Sequence, residues 1–282
     1  MPQLSPESLP DDFDPARRFG GLDRLYGTGA SQVLGDLHVM VAGIGGVGTW
    51  CVEALARSGV GALTLVDMDH IAESNINRQA HALGSTLGMA KIRAMAARVQ
   101  DINPACRVTE IDDFVGPDNI AGLLSTGPVG MLLDCTDQIP AKVAMVLQAR
   151  AQGWPLLVCG GAGGKTDSLA LRAGDLSGVT HDALLGRLRQ DLRQRHGYPK
   201  GGVAGGKPKR RVPRMDVSCL WFDQPVVLPS AWTQPVDTST LLAPQGLSCA
   251  GYGSVVTVTA AMGLAAANWA LQRGLADAAV QA

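Results

Sequence analysis

The sequence is notable first for what it lacks. Its six cysteines, at 51, 106, 135, 159, 219 and 249, form no C-x-x-C pair. That absence speaks against a zinc tetrad and against a disulfide framework, and predicts mostly buried free thiols. There is no charge of one sign to spare, because 24 basic and 25 acidic residues leave a formal net charge of −1. The molecule as a whole therefore does not attract a polyanion, and any nucleic-acid affinity has to come from a local patch. The N-terminal stretch "MPQLSPESLPDDFDPARR" has no apolar core, which predicts neither a signal nor a transit peptide and a cytoplasmic location. The run 251–271, "GYGSVVTVTAAMGLAAANWAL", is long enough to cross a bilayer but is built of Ala, Gly and Thr and carries Asn268. It predicts a helix packed inside a core rather than a membrane span. No internal repeat is present.

What is present is a rhythm. Strands are expected at 37–42, 62–67, 106–111, 129–134 and 155–159. Helices are expected at 47–58, 88–101, 117–124 and 139–152. Val-, Leu- and Ile-rich strands alternating with helices predict an α/β fold, a doubly wound, Rossmann-like, mostly parallel sheet covered on both faces, with its ligand at the carboxyl ends of the strands. Residues 1–16 read as a disordered tail, 17–165 as a nucleotide-binding core and 166–282 as a C-terminal extension. In the extension a strand is expected near 168–172, a helix over 181–196, a flexible Gly/Pro/Lys/Arg-rich loop over 197–214 and a strand over 215–222. An apolar helix closes the chain.

The first strand runs into Gly43-Ile-Gly45-Gly46-Val-Gly48. Gly43 permits a sharp turn, Gly45 lets backbone amides approach phosphate, and Gly48 lets helix and strand pack closely. Such a turn serves NAD, FAD and ATP alike. The continuation narrows the choice. Asn75, Arg78 and Lys91 add one neutral donor and two cations at the same strand ends, and "LLDCTDQ" adds Asp134 and Asp137 two strands later. A dinucleotide gives these cations little to do. A triphosphate attacked at its α-phosphorus needs its departing pyrophosphate compensated, and a carboxylate at the rim is suited to Mg2+.

The order GxGGxG, "LVDMD", "SNINRQ", a lysine thirteen residues past the arginine, and "DCTDQ" resembles the ubiquitin-activating superfamily of ThiF/MoeB-type adenylating enzymes. The resemblance implies Asp67, with Asp69 beside it, on the nucleotide ribose; Asn75, Arg78 and Lys91 on the phosphates of ATP; and Asp137 on magnesium. Further pieces, "RFGGLDRLYG", "INPACRVTEIDDFV", "GGAGGKTD" and "SCAGYGS", are similar to the branch of tRNA threonylcarbamoyladenosine dehydratases. That branch implies adenylation of the threonyl carboxylate, then closure of an oxazolone ring with loss of AMP. The carrier-protein activators usually hold two C-x-x-C pairs, absent here, so a sulfur-carrier or ubiquitin-like substrate is the second reading. A nicotinamide oxidoreductase or a silent nucleotide module is the third.

A tRNA substrate needs a cationic surface. The segment 187–214 concentrates ten of the 24 basic residues, among them Arg187, Arg189, Arg193, Lys207, Lys209, Arg210 and Arg211, against the lone acid Asp191. Tyr198 and Trp221 are candidates to stack on an unpaired base. Cys249 reads either as a thiol facing the cleft, able to accept an acyl group, or as a packing residue. The superfamily implies a homodimer in which an N-terminal arginine reaches the neighbouring ATP. Here glycine holds that place, leaving Arg18 or Arg24 as substitutes. The resemblance leaves open a monovalent cation, Na+ or K+, near the 248–254 bend and a sulfur-transfer protein partner.

Overall fold

The computed structural model describes residues 13–124, 129–201, 203–204, 207–208, 212–227 and 252–281. Their strands are β1 (His38–Ala42), β2 (Ala62–Val66), β3 (Arg107–Ile111), β4 (Met131–Asp134), β5 (Leu156–Cys159), β6 (Leu171–Asp175), β7 (Val203–Ala204), β8 (Lys207–Pro208) and β9 (Ser218–Phe222). Seven of them form one sheet in the order β3-β2-β1-β4-β5-β9-β6. All neighbours are parallel except β6, which runs antiparallel to β9. The expected loop 197–214 contains the short antiparallel pair β7–β8.

Helices cover both faces, as the alternation predicts. Early on come α1 (Pro15–Phe19), α2 (Gly21–Tyr26) and α3 (Ala30–Gly35), so two residues of the expected tail are already helical; residues 1–12 of that tail lie outside the described residues. On one face α4 (Gly48–Arg57), α5 (Lys91–Ile102) and the terminal helix α9 (Val256–Gln281) bury the largest apolar cluster, with Leu55, Met95 and Met262 fully enclosed. The other face holds α6 (Ile120–Leu124), α7 (Ile139–Gln152) and α8 (Ala183–Arg195), which share Met145, Leu188 and Leu192 with the sheet.

The composition of α9 follows from how close it lies to α4. A Cβ on Gly263 would stand 2.4 Å from the Val47 carbonyl oxygen and 2.8 Å from Trp50 Cβ, so only glycine lets the two backbones approach. Among the described residues, no helix is long and apolar enough to cross a membrane.

Chain order makes the ligand site. From central β1 the chain winds outward through β2 and β3, then returns to lay β4 on the other side of β1. The carboxyl ends of β1 and β4 therefore diverge into a crevice, where open α/β sheets take their ligands.

Candidate active site

The crevice is floored by the glycine turn. Gly43 has φ +86, and a Cβ there would lie 2.9 Å from the Cys135 carbonyl and the Thr136 nitrogen. Both conformation and space exclude a side chain. A Cβ on Gly48 would stand 1.9 Å from the Gly43 carbonyl oxygen, so Gly48 is a packing residue behind the pocket rather than a ligand contact. Gly45 has open space beside it, and its backbone borders the pocket just before α4 begins. The unpaired amides and dipole of that helix start favour an anion.

Asp67 closes the turn from the next strand. Its Oδ2 accepts from Ile44 N at 2.7 Å and its Oδ1 from Asp69 N at 2.8 Å. Burial pushes its carboxyl up, against the downward pull of Lys91 and these two amides. From behind, His81 Nε2 donates to the Ile44 carbonyl at 3.2 Å, and burial holds its imidazole down to about 4. Ile44 is thus held at both its N–H and its carbonyl, by a carboxylate and a neutral imidazole.

The cations stand opposite. Lys91 is the first residue of α5, and its ammonium lies 2.6 Å from Asp69 Oδ2. Arg78 Nη1 donates to the Ser74 carbonyl at 2.7 Å and to Asn77 Oδ1 at 3.0 Å, while Trp50 Nε1 of α4 donates to the Arg78 carbonyl at 2.9 Å. The arginine is therefore aimed before any ligand arrives. Asn75 Oδ1 caps its own turn at Ala72 N (3.0 Å), which leaves its Nδ2 as the donor for a ligand.

Across the crevice, the turn after β4 presents Asp137. That turn is fixed from beneath: Asp134 Oδ1 accepts from both the amide and the hydroxyl of Thr136 and lies 3.1 Å from Lys142 Nζ. Lys142 also donates to the Cys159 carbonyl at 2.8 Å. Both charges of this pair are fully buried, and burial pushes the Asp134 carboxyl up. One ammonium thereby joins the ends of β4 and β5 under the pocket wall.

A single cavity of about 450 Å3 brings together Gly43, Gly45, Gly46, Asp67, Asp69, Asn75, Arg78, Lys91 and Asp137. The sequence reading missed other walls. Asp113 and Phe114 follow β3, Thr136 precedes Asp137, Gly161 follows β5, Leu184 opens α8, and Thr259 opens α9. The first two were detectable, since they sit at a carboxyl strand end. Thr259, 213 residues beyond Gly46 yet with its Cγ2 at 3.1 Å from that glycine's Cβ position, had no local signal.

Several expectations need correction. Tyr198 is only 3% exposed, packed under the Arg150 guanidinium at 4.7 Å, and Trp221 lies in β9 at 8%; neither can stack on a base. Arg189 gives Nη1 to the Leu176 and Val179 carbonyls, and Arg193 gives Nε to the Pro199 carbonyl, so both brace the fold. Arg187 is exposed on α8. Arg18 is committed to the Asp101 and Ile102 carbonyls at the end of α5. Lys209, Arg210, Arg211 and Cys249 lie outside the described residues, as does the side chain of Lys207. Cys135 and Cys159 face each other at 3.9 Å; the Cys159 contact pulls the Cys135 thiol down but Cys51 and burial push it up on balance, while the Cys135 contact and burial push the Cys159 thiol up.

Comparison with known proteins agrees with this construction. The chain is 40% identical over 267 residues to the tRNA threonylcarbamoyladenosine dehydratase of Escherichia coli, covering 94% of this chain and 96% of that protein. Its likeness to the enzyme of the same name from Haemophilus influenzae is 37% over 253 residues, or 89% and 91% of the two chains. The crystal structure of the E. coli enzyme in complex with ATP superposes with a TM-score of 0.81 at 38% identity, covering 98% of this chain and all of that one. The ThiF family model matches residues 21–279, a span that takes in the glycine turn, both rims of the cavity and the helix that closes it. The chain belongs to the ThiF family.

Proposed function

We propose that this protein is an ATP-dependent dehydratase of threonylcarbamoyladenosine in tRNA. The observation that carries the reading is the meeting of Arg78, Lys91 and Asp137 around one glycine turn, in a chain so similar along its whole length to enzymes of that name. ATP lies with its phosphates at the Gly43–Gly48 turn and its ribose toward Asp67 and Asp69. A threonyl carboxylate oxygen attacks the α-phosphorus, the bond to the bridging oxygen breaks, and pyrophosphate departs between Arg78, Lys91 and the Asn75 amide. The tethered carbamoyl group then closes on the acyl carbon and gives up its proton. AMP leaves with the former carboxylate oxygen, so the substrate loses the elements of water. Ring closure is intramolecular, and positioning supplies most of its rate.

Asp137 offers one hard oxygen in the wall where the phosphates would lie. That suits Mg2+, which is held by one or two carboxylates together with phosphate oxygens. Magnesium, when bound there, neutralises charge on the departing pyrophosphate. The reading extends to a homodimer in which Arg24, rather than Arg18, stands in for the cross-subunit arginine whose place glycine holds. Arg24 is exposed on α2, with no partner among the described residues, whereas Arg18 is spent on α5.

The test is incubation with ATP, Mg2+ and tRNA bearing the modification, followed by digestion to nucleosides. A dehydrated adenosine formed with stoichiometric AMP and pyrophosphate supports the reading. AMP release that requires a small carrier protein instead, with the nucleoside unchanged, overturns it.

A further inference from the structure

A second cavity, of about 390 Å3, opens at the opposite, amino-terminal edge of the sheet, between the end of α7, the starts of β5 and β9, and α9. Three guanidiniums line it, Arg150, Arg214 and Arg273, against one carboxylate, Asp216. We propose that this cleft binds the phosphodiester backbone of the tRNA, away from the modified nucleotide. The inference rests on the function proposed above and adds to it a second station for the same substrate.

The side chains suit an exchangeable anion. The Arg150 guanidinium stands over the buried Tyr198 ring, 4.7 Å from its centroid, which orders it without neutralising it. Arg214 contacts Asp216 at 3.2 Å and Arg273 contacts Asp277 at 2.8 Å, but both are exposed pairs. Such pairs contribute little and are readily exchanged for a phosphate oxygen. Among the described residues that line this cavity, the one glycine, Gly153, caps the end of α7 with its N–H given to the Ala149 carbonyl, and no helix starts there, so these residues offer no cluster of free backbone amides of the kind that encloses a small nucleotide.

Placement favours a polymer. Pro199 and Arg214 are two lips of the cleft, and the stretch between them carries Lys200, Lys207, Lys209, Arg210 and Arg211. In the sequence, the densest positive charge of the chain is therefore flanked on both sides by residues of this cleft. α8 connects the two stations. Its cap Asp182 accepts from Gly161 N, in the nucleotide pocket, at 2.8 Å, and its far end leads directly into Tyr198 and Pro199. Thirteen residues of helix span roughly 20 Å, with exposed Arg187 and Arg195 along the way. A small anion occupies one such station; an RNA backbone reaches both.

The test compares the full-length protein with R150A/R214A/R273A, and with R93A as a basic surface control. Binding of modified tRNA is measured across a KCl series, alongside steady-state turnover and ATP affinity. We expect the slope of log K against log salt to flatten by roughly two to three in the triple variant. KM for tRNA should rise about tenfold or more with kcat and ATP affinity retained, and R150K/R214K/R273K should restore binding. An unchanged slope and KM in the alanine variant overturns the inference while leaving the dehydratase reading intact. Absence of tRNA turnover by the unaltered protein overturns the dehydratase reading itself. Loss of ATP affinity in the alanine variant alone, with no salt effect, marks the cleft as structural and overturns the inference as well.

Discussion

Arg78 and Asp137 reach the same cavity from opposite banks, and each is held by bonds that do not depend on a ligand. Replacing either by alanine is expected to abolish turnover, at least a hundredfold, while thermal unfolding stays close to wild type. Wild-type rates in either variant would remove that residue from the mechanism. His81 makes a different prediction, in stability. Its folded-state value of about 4 lies below the unfolded value near 6.5, so the unfolded chain binds more protons between them. Stability attributable to neutral His81 is complete above pH 6.5 and is lost as pH falls towards 4, by up to ~3 kcal/mol. H81Q keeps a donor for the Ile44 carbonyl but does not titrate. Chemical denaturation at pH 7 and pH 4.5 should show a smaller loss in H81Q; an equal loss would mean the imidazole does not carry the effect.

Among elements, α9 and α4 form the most extensive helix contact, and it bears on the pocket indirectly. Gly263 lies against the Val47 carbonyl, while Thr259, one turn earlier, touches the Arg78 carbonyl and lines the cavity. G263A should force the helices apart, costing about 1–3 kcal/mol of stability, and raise KM for ATP. Calorimetry and ATP titration together check it, and an unchanged melting temperature would show that the gap relaxes freely. The site elements written by local spacing were legible in advance. The glycine turn and Asp137 follow a strand end directly, the Asn75–Arg78 cluster and Lys91 lie on the connection that leaves β2 and opens α5, and a parallel sheet gathers its strand ends on one side. Thr259 and Leu184 were not legible, because they enter through helix packing between segments far apart in the chain. The aromatics failed for a related reason. Tyr198 sits in a Gly/Pro-rich stretch that reads as solvent-facing, but the end of α7 covers it. The insertion of β9 between β5 and β6 also left no mark in the order of strands.

At the scale of the whole molecule, charge is divided unevenly although its sum is near zero. With ten of 24 basic residues between 187 and 214, the remainder is acidic, so approach by RNA should be oriented rather than uniform. Reversing Lys209, Arg210 and Arg211 to glutamate is expected to weaken tRNA binding by about tenfold or more at low salt and to leave ATP affinity unchanged. Unaltered tRNA binding would take those three residues out of the interface.

The late place of β9 has a consequence for biosynthesis. Residues 171–175 leave the ribosome well before 218–222, yet β6 reaches the sheet only through β9, and β5 has no other neighbour on that side. A nascent chain therefore carries an unpaired, apolar sheet margin for more than forty residues of synthesis, a template for unwanted self-association until its missing strand arrives. Fragments ending before Ser218 should accordingly precipitate on expression, even though they contain nearly all of the nucleotide pocket.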